Sequence, residues 1–180
     1  MIPFTNKVIL IASLPKYEEA EMTSVQKKYW NVMVVNFLIE FLIVGGIITI
    51  VAISTGTPQF IWYILIAYCI IMIITFFLRK ISFSRRSYAL REKDIIYRHG
   101  ILSTKTTIIP FTRVQHVGIN EGFVSRLYNL AQLQIFTAGG LAGHLKISGL
   151  SKEDAEKLKE AVMLHIKEKD EYLNKEIEEV

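Results

Sequence analysis

The chain has 180 residues, is 51% hydrophobic, and carries a formal net charge of +4 with a mean hydropathy of +0.33. That balance excludes a disordered chain and argues against a freely soluble enzyme. A single cysteine, Cys69, excludes a disulfide framework and a thiolate metal site.

Residues 1–31 carry four basic and three acidic groups. Lys7 precedes a short apolar run at 8–14, but Pro15, Lys16, Glu18 and Glu19 follow it at once. That pattern does not fit a secretory leader, so we read an N-terminal segment there. Residues 32–53 contain one acid, Glu40, and no Lys or Arg; residues 60–78 contain no charge. A helix over 32–53 would be about 33 Å long, against a hydrocarbon core of about 30 Å. Both stretches are therefore expected to cross a membrane as a hairpin (32–78), and Cys69 reads as a small residue within the second span.

The charges around the hairpin predict its orientation. Lys27 and Lys28 precede it, and Arg79, Lys80, Arg85 and Arg86 follow it. The intervening loop, 54–59, is uncharged. Both termini are expected in the cytoplasm of a multi-pass cell-membrane protein. Tyr29 with Trp30, and Trp62 with Tyr63, sit where interfacial aromatic anchors belong. Glu40 lies about 12 Å into its span by helical rise, where a carboxylate is costly. Asn36 is one turn earlier, and an antiparallel partner would bring Thr75 near their level and Tyr68 opposite Gly45. Asn36, Glu40 and Thr75 are the candidate intramembrane polar contact. They read either as an interhelical hydrogen bond or as part of a proton or ion relay.

Beyond the hairpin, residues 79–150 hold eleven basic and three acidic groups. A basic block that adjoins the spans points to a membrane surface rather than to nucleic acid. The periodicity changes after Arg86. Residues 87–91 are short and mixed, 92–94 make a polar turn, and 95–97 restart an apolar run. Residues 101–109 (ILSTKTTII) are rich in β-branched side chains, and 114–119, 133–137 and 145–148 alternate. This predicts an antiparallel sheet or barrel. Gly100 is expected at positive φ in a hairpin, and Pro110 is expected to end a strand. Phe123, Leu127 and Leu130 have helical spacing and suggest a short helical turn or plug. Ser151 and Asp154 form a candidate cap for a C-terminal helix. Ala155, Leu158, Val162, Ile166, Leu173 and Ile177 make its apolar stripe. The charged tail from 167 to 180 is expected to project or to pair with a partner helix.

These pieces together resemble a known family. Arg98-His99-Gly100-Ile101-Leu102, Ile109-Pro110-Phe111, Arg113-Val114-Gln115-His116-Val117, Arg126-Leu127-Tyr128-Asn129-Leu130-Ala131 and Thr137-Ala138-Gly139-Gly140 carry the resemblance, with Gly149-Leu150-Ser151 leading into Asp154-Ala155. In this order behind a two-span hairpin, they are similar to the YdbS-like membrane proteins, which carry a bacterial pleckstrin-homology domain of the second type. The resemblance covers roughly residues 27–165. It implies an α+β membrane protein: a transmembrane hairpin, then a pleckstrin-homology-like antiparallel split β-barrel with a C-terminal helix, over 79–166. It also implies a partner, a larger membrane protein of the same family, and suggests a role in envelope stress or resistance to membrane-active peptides.

Catalysis has no support in the sequence. Residues 138–144 (AGGLAGH) lack the Lys of a phosphate-binding loop. His99, His116, His144 and His165 fall in separate elements without metal-ligand spacing, and the serines lack nucleophile context. No cofactor or metal is expected. The functional candidates are cationic: Arg79, Lys80, Arg85, Arg86, Arg91 and Arg98, as contacts for lipid or partner. Three functions compete. One is a membrane-anchored interaction module that binds another membrane protein or its own copies. Another is a sensor of anionic headgroups at the inner leaflet. The last is a small transporter or ion-pathway subunit.

Overall fold

The computed structural model describes residues 20–56, 61–137 and 144–178, from 167 onward by backbone alone. The apolar run 8–14, the glycine-rich segment 138–143 and the side chains of Leu173 and Ile177 lie outside the described residues.

Two long helices, α1 (Tyr29–Ser54) and α2 (Ile61–Ser84), lie antiparallel against each other. Each is long and apolar enough to cross a membrane. They run about 39 and 36 Å by helical rise, and nearly all their large side chains point outward. Such an outward apolar surface is what a lipid solvent requires. Aromatic rings join them at the domain end: Trp30 packs on Phe76 and Phe83, and Phe37 on Phe76. Gly45 admits the Tyr68 ring, as expected; a Cβ there would lie 3.4 Å from Tyr68 Cε1. The Tyr68 hydroxyl donates to the Phe41 carbonyl at 2.9 Å. The helix of the second span runs six residues past residue 78, so Arg79 and Lys80 sit on α2 rather than beyond it.

The remainder forms two antiparallel sheets. One has the order β1 (Thr23–Ser24), β2 (Ser87–Leu90), β3 (Asp94–His99), β4 (Lys105–Pro110). The other has β5 (Val114–Asn120), β6 (Leu130–Thr137), β7 (His144–Ser151). Ile95, Tyr97, Ile109, Leu133, Ile135 and Ile147 meet in the core between them. Helix α4 (Lys152–Glu178) closes this core with Ala155, Leu158 and Val162. The cap is as read: the Asp154 backbone N–H donates to Ser151 Oγ at 3.0 Å.

Three expectations need correction. The β-branched run does not begin its strand at Ile101. The strand starts at Lys105, because Gly100 turns the chain at φ 144°, where a Cβ would collide with the Ser103 carbonyl. The turn α3 (Phe123–Leu127) exists, but Phe123 and Leu127 do not face inward. Val124 and Leu130 are its buried contacts, because α3 packs on α1. The N-terminal segment is not separate from the domain, since Thr23 and Ser24 pair with Tyr88 and Ser87 as the edge of the first sheet.

The domain is fastened to the hairpin directly. Only Arg85 and Arg86 separate α2 from β2. On the other leg, the Gln26 backbone N–H donates to the Gly149 carbonyl at 2.9 Å. Tyr29 packs closely on Gly149, whose φ of 83° and missing Cβ make room for the side chain. Val32, 1% exposed, is buried against Val124 and Leu130.

Candidate functional site

Within the hairpin, Glu40 does not meet Thr75. The Thr75 hydroxyl turns back onto the Ile71 carbonyl at 2.8 Å, and Asn36 is exposed on α1. Arg79 takes the place expected for Thr75. It donates to Glu40 at 2.5 Å while its guanidinium lies 5.3 Å from the centre of the Phe37 ring. The reason is reach: a long arginine on the prolonged α2 extends along the hairpin, whereas the threonine hydroxyl is satisfied locally. The pair stays half-exposed, with 48% of the Glu40 side chain and 30% of Arg79 uncovered.

The other predicted cations divide by role. Arg91 forms a two-pronged ion pair with Asp94 across the β2–β3 turn, at 2.7 and 2.5 Å. It holds that turn together. Arg85 donates to the Ile101 carbonyl at 2.7 Å and holds the β3–β4 turn beside the end of α2. Lys80 is exposed. Arg98 has a buried Nε without a partner. Arg86 stacks over Tyr29 at 5.6 Å, donates to the Tyr29 hydroxyl at 3.4 Å and to Ser82 at 3.5 Å, and also bonds to the Tyr97 hydroxyl.

Arg86 also opens onto a cleft of about 540 Å³ between edge strands β4 and β7. Strand alternation builds the lining. Tyr97 and His99 share one side of β3, Lys105 and Thr107 one side of β4, and His144, Lys146 and Ser148 one side of β7. Among the described residues three cations line the cleft, and no carboxylate does. Among the described residues the buried Arg86 Nε and His99 Nδ1 have no hydrogen-bond partner. Burial, then the nearby Arg86 and Lys105, push the His99 pKa below its ordinary value. Unpaired donors and like charges facing one space are the arrangement that an oxyanion would satisfy. Among the described residues no group of three or more His, Cys, Asp or Glu could hold a metal.

Sequence reasoning singled out Arg86 but missed Lys146, Thr107, Ser148 and Gln132 as its neighbours. The period-two polar face His144-x-Lys146-x-Ser148 was the available signal. What faces it depends on how two sheets meet, which no local pattern encodes.

An outward-apolar helical hairpin, joined without a linker to two antiparallel sheets and a closing helix, defines an α+β membrane protein of the pleckstrin-homology-like type. The chain belongs to the bacterial PH domain family, whose family model matches residues 33–164 and so includes both spans. It is 34% identical over 83 residues to the transmembrane protein YdbT of Bacillus subtilis (strain 168), covering 46% of this chain and 17% of YdbT. It is 30% identical over 91 residues to the transmembrane protein YdbS of the same organism, covering 51% of this chain and 55% of YdbS. The matches thus span about half the length of one relative and about a sixth of the other. No solved structure matches.

Proposed function

We propose that this protein is a membrane-anchored, non-catalytic interaction module. Its domain is held at the cytoplasmic face, both termini on that side, and it assembles with another membrane protein of its family or with a second copy. The half-exposed Glu40–Arg79 pair carries this reading. An ion pair open to hydrocarbon is costly, and a neighbouring helix that covers it relieves the cost. Beside it runs a wholly apolar groove between the spans, lined by Leu38, Phe41, Cys69 and Met72. A photo-crosslinker at Leu38 in native membranes is expected to capture a membrane protein or a second copy. Replacing the pair, Glu40→Leu with Arg79→Leu, is expected to cut the yield roughly tenfold, the effect of about 1–2 kcal/mol of interhelical polar contact. A chain that yields no adduct defeats the reading. A role in envelope stress or peptide resistance would follow from the partner so captured.

A second reading, recognition of an anionic group at the inner leaflet, is favoured by the cleft. Its cations, Arg86 within two residues of the hairpin's end and Lys105 and Lys146 on β4 and β7, line one space. The shared chemistry is a phosphate-type oxyanion, from a lipid headgroup or free in solution. Pyrophosphate titrated onto protein in neutral bilayers tests the free source; anionic lipid in the same bilayers tests the headgroup. Both should weaken in Lys105→Ala and Lys146→Ala, and equal behaviour of variant and parent removes the reading.

A further inference from the structure

The five-residue helix α3 has two unlike sides. Val124 is buried with Val32 of α1 and Leu130 of β6, and Tyr29, Val35 and Tyr128 pack around them. On the other side Phe123 is 82% and Leu127 71% exposed. These two side chains are four residues apart and so neighbours on one face, with the exposed Arg126 between them in sequence.

The place of α3 accounts for this exposure. Val32 and Val35 belong to the first turns of the apolar run of α1. Lys27 and Lys28 lie just before that run, and Lys27 and Lys80 flank Trp30 in one shallow pocket. Such cations and aromatic rings mark the headgroup level of a span. Ile39 and Leu42 continue along the side of α1 that starts with Val32 and Val35, and both are exposed. The surface immediately beyond α3 is therefore the lipid-facing surface of the span itself.

We infer that α3 is a wedge set into the bilayer leaflet on the domain's side, with Phe123 and Leu127 among the acyl chains and Arg126 reaching back to the phosphates. The inference rests on α1 and α2 crossing the bilayer. It adds a third, non-spanning contact with lipid, made by the domain rather than by the hairpin.

The full chain in nanodiscs tests it, with Trp30→Phe and Trp62→Phe to silence the native indoles. A single tryptophan is then placed at Phe123→Trp, or at Leu42→Trp as a reference inside the span. Lipids brominated in the upper acyl chain should quench the tryptophan at 123 to about half the extent seen at 42, or more. Quenching at 42 alone overturns the wedge and leaves the spans standing. Quenching at neither position overturns both. Emission at 123 that ignores brominated lipid but reddens when the protein is diluted among discs assigns the face to a second copy and overturns the wedge. A second measurement does not depend on indole packing. In a Cys69→Ala background, Phe123→Cys should react with a hydrophilic maleimide roughly tenfold more slowly than Lys159→Cys in nanodiscs, and equally fast after denaturation. Equal rates in nanodiscs overturn the inference.

Discussion

Tyr29 and Gly149 make the joint at which a single methyl group matters. A Cβ at position 149 would lie 2.6 Å from the Tyr29 ring, on a backbone whose φ of 83° already disfavours any other residue. Gly149→Ala is therefore expected to destabilise the protein by about 1–3 kcal/mol. Thermal unfolding in mild detergent should show the loss, and an unchanged midpoint would contradict the close approach. Glu40 and Arg79 invite a different kind of test. Losing Arg79 leaves the Glu40 carboxylate unpaired inside the span, at about 2.5–3.5 kcal/mol on insertion scales, and losing Glu40 leaves the Arg79 guanidinium without its carboxylate. Glu40→Gln and Arg79→Met are each expected to be less stable than the double variant, as read by unfolding in bicelles. This pairing was not legible in the sequence. The span limits set by composition place Arg79 outside the membrane segment, which leaves Asn36 and Thr75 as the polar neighbours of Glu40 within the hairpin.

Among the elements, those with a strong local signal were legible. The spans follow from charge-free length, and α4 follows from its cap and stripe. Ser151→Ala should cost about 1 kcal/mol by stranding the Asp154 N–H. Leu158→Ala should cost about 2–5 kcal/mol, because its side chain is buried between α4 and the sheets. Denaturant titration of the detergent-solubilised chain separates the two, and a cap variant costlier than the core variant would reverse this account. The β4 boundary was misplaced because Ile101 and Leu102 have strand-like chemistry, yet Gly100 has already turned the chain. Likewise Phe123 and Leu127 have helical spacing, but spacing does not say which side meets the rest of the molecule. Burial on α3 is decided by Val32, some ninety residues earlier, and no window of local sequence contains both.

For the whole molecule, the antiparallel class and the closing helix could be read in advance, whereas the cleft could not. It exists only because β4 and β7 present their polar sides to a common space. Its charge makes a pH prediction. His99 is held below its ordinary pKa by burial and by Arg86 and Lys105, with His144 and Lys146 also facing the space. The neutral ring is thus favoured in the folded protein. This contributes stability above the unfolded-state value of about 6.5, and that contribution is lost as pH falls through the lowered folded value. A bound oxyanion would reverse the preference and draw a proton onto the ring. Relative to His99→Gln, the parent should therefore bind pyrophosphate increasingly well as pH falls toward the lowered His99 value. Calorimetry in two buffers of different ionisation enthalpy should register proton uptake that His99→Gln diminishes. Affinity that is flat with pH, with no proton uptake, would argue against His99 in the site.

The two-residue passage from α2 to β2, together with the ring of Tyr29 seated on Gly149, leaves the domain no leash. It cannot swing in search of a target; it travels with the rods. When a thinner bilayer tilts those rods, the sheets and their cleft must tilt with them. The thickness of the oily layer is thereby translated into the height and attitude at which the domain meets its surroundings.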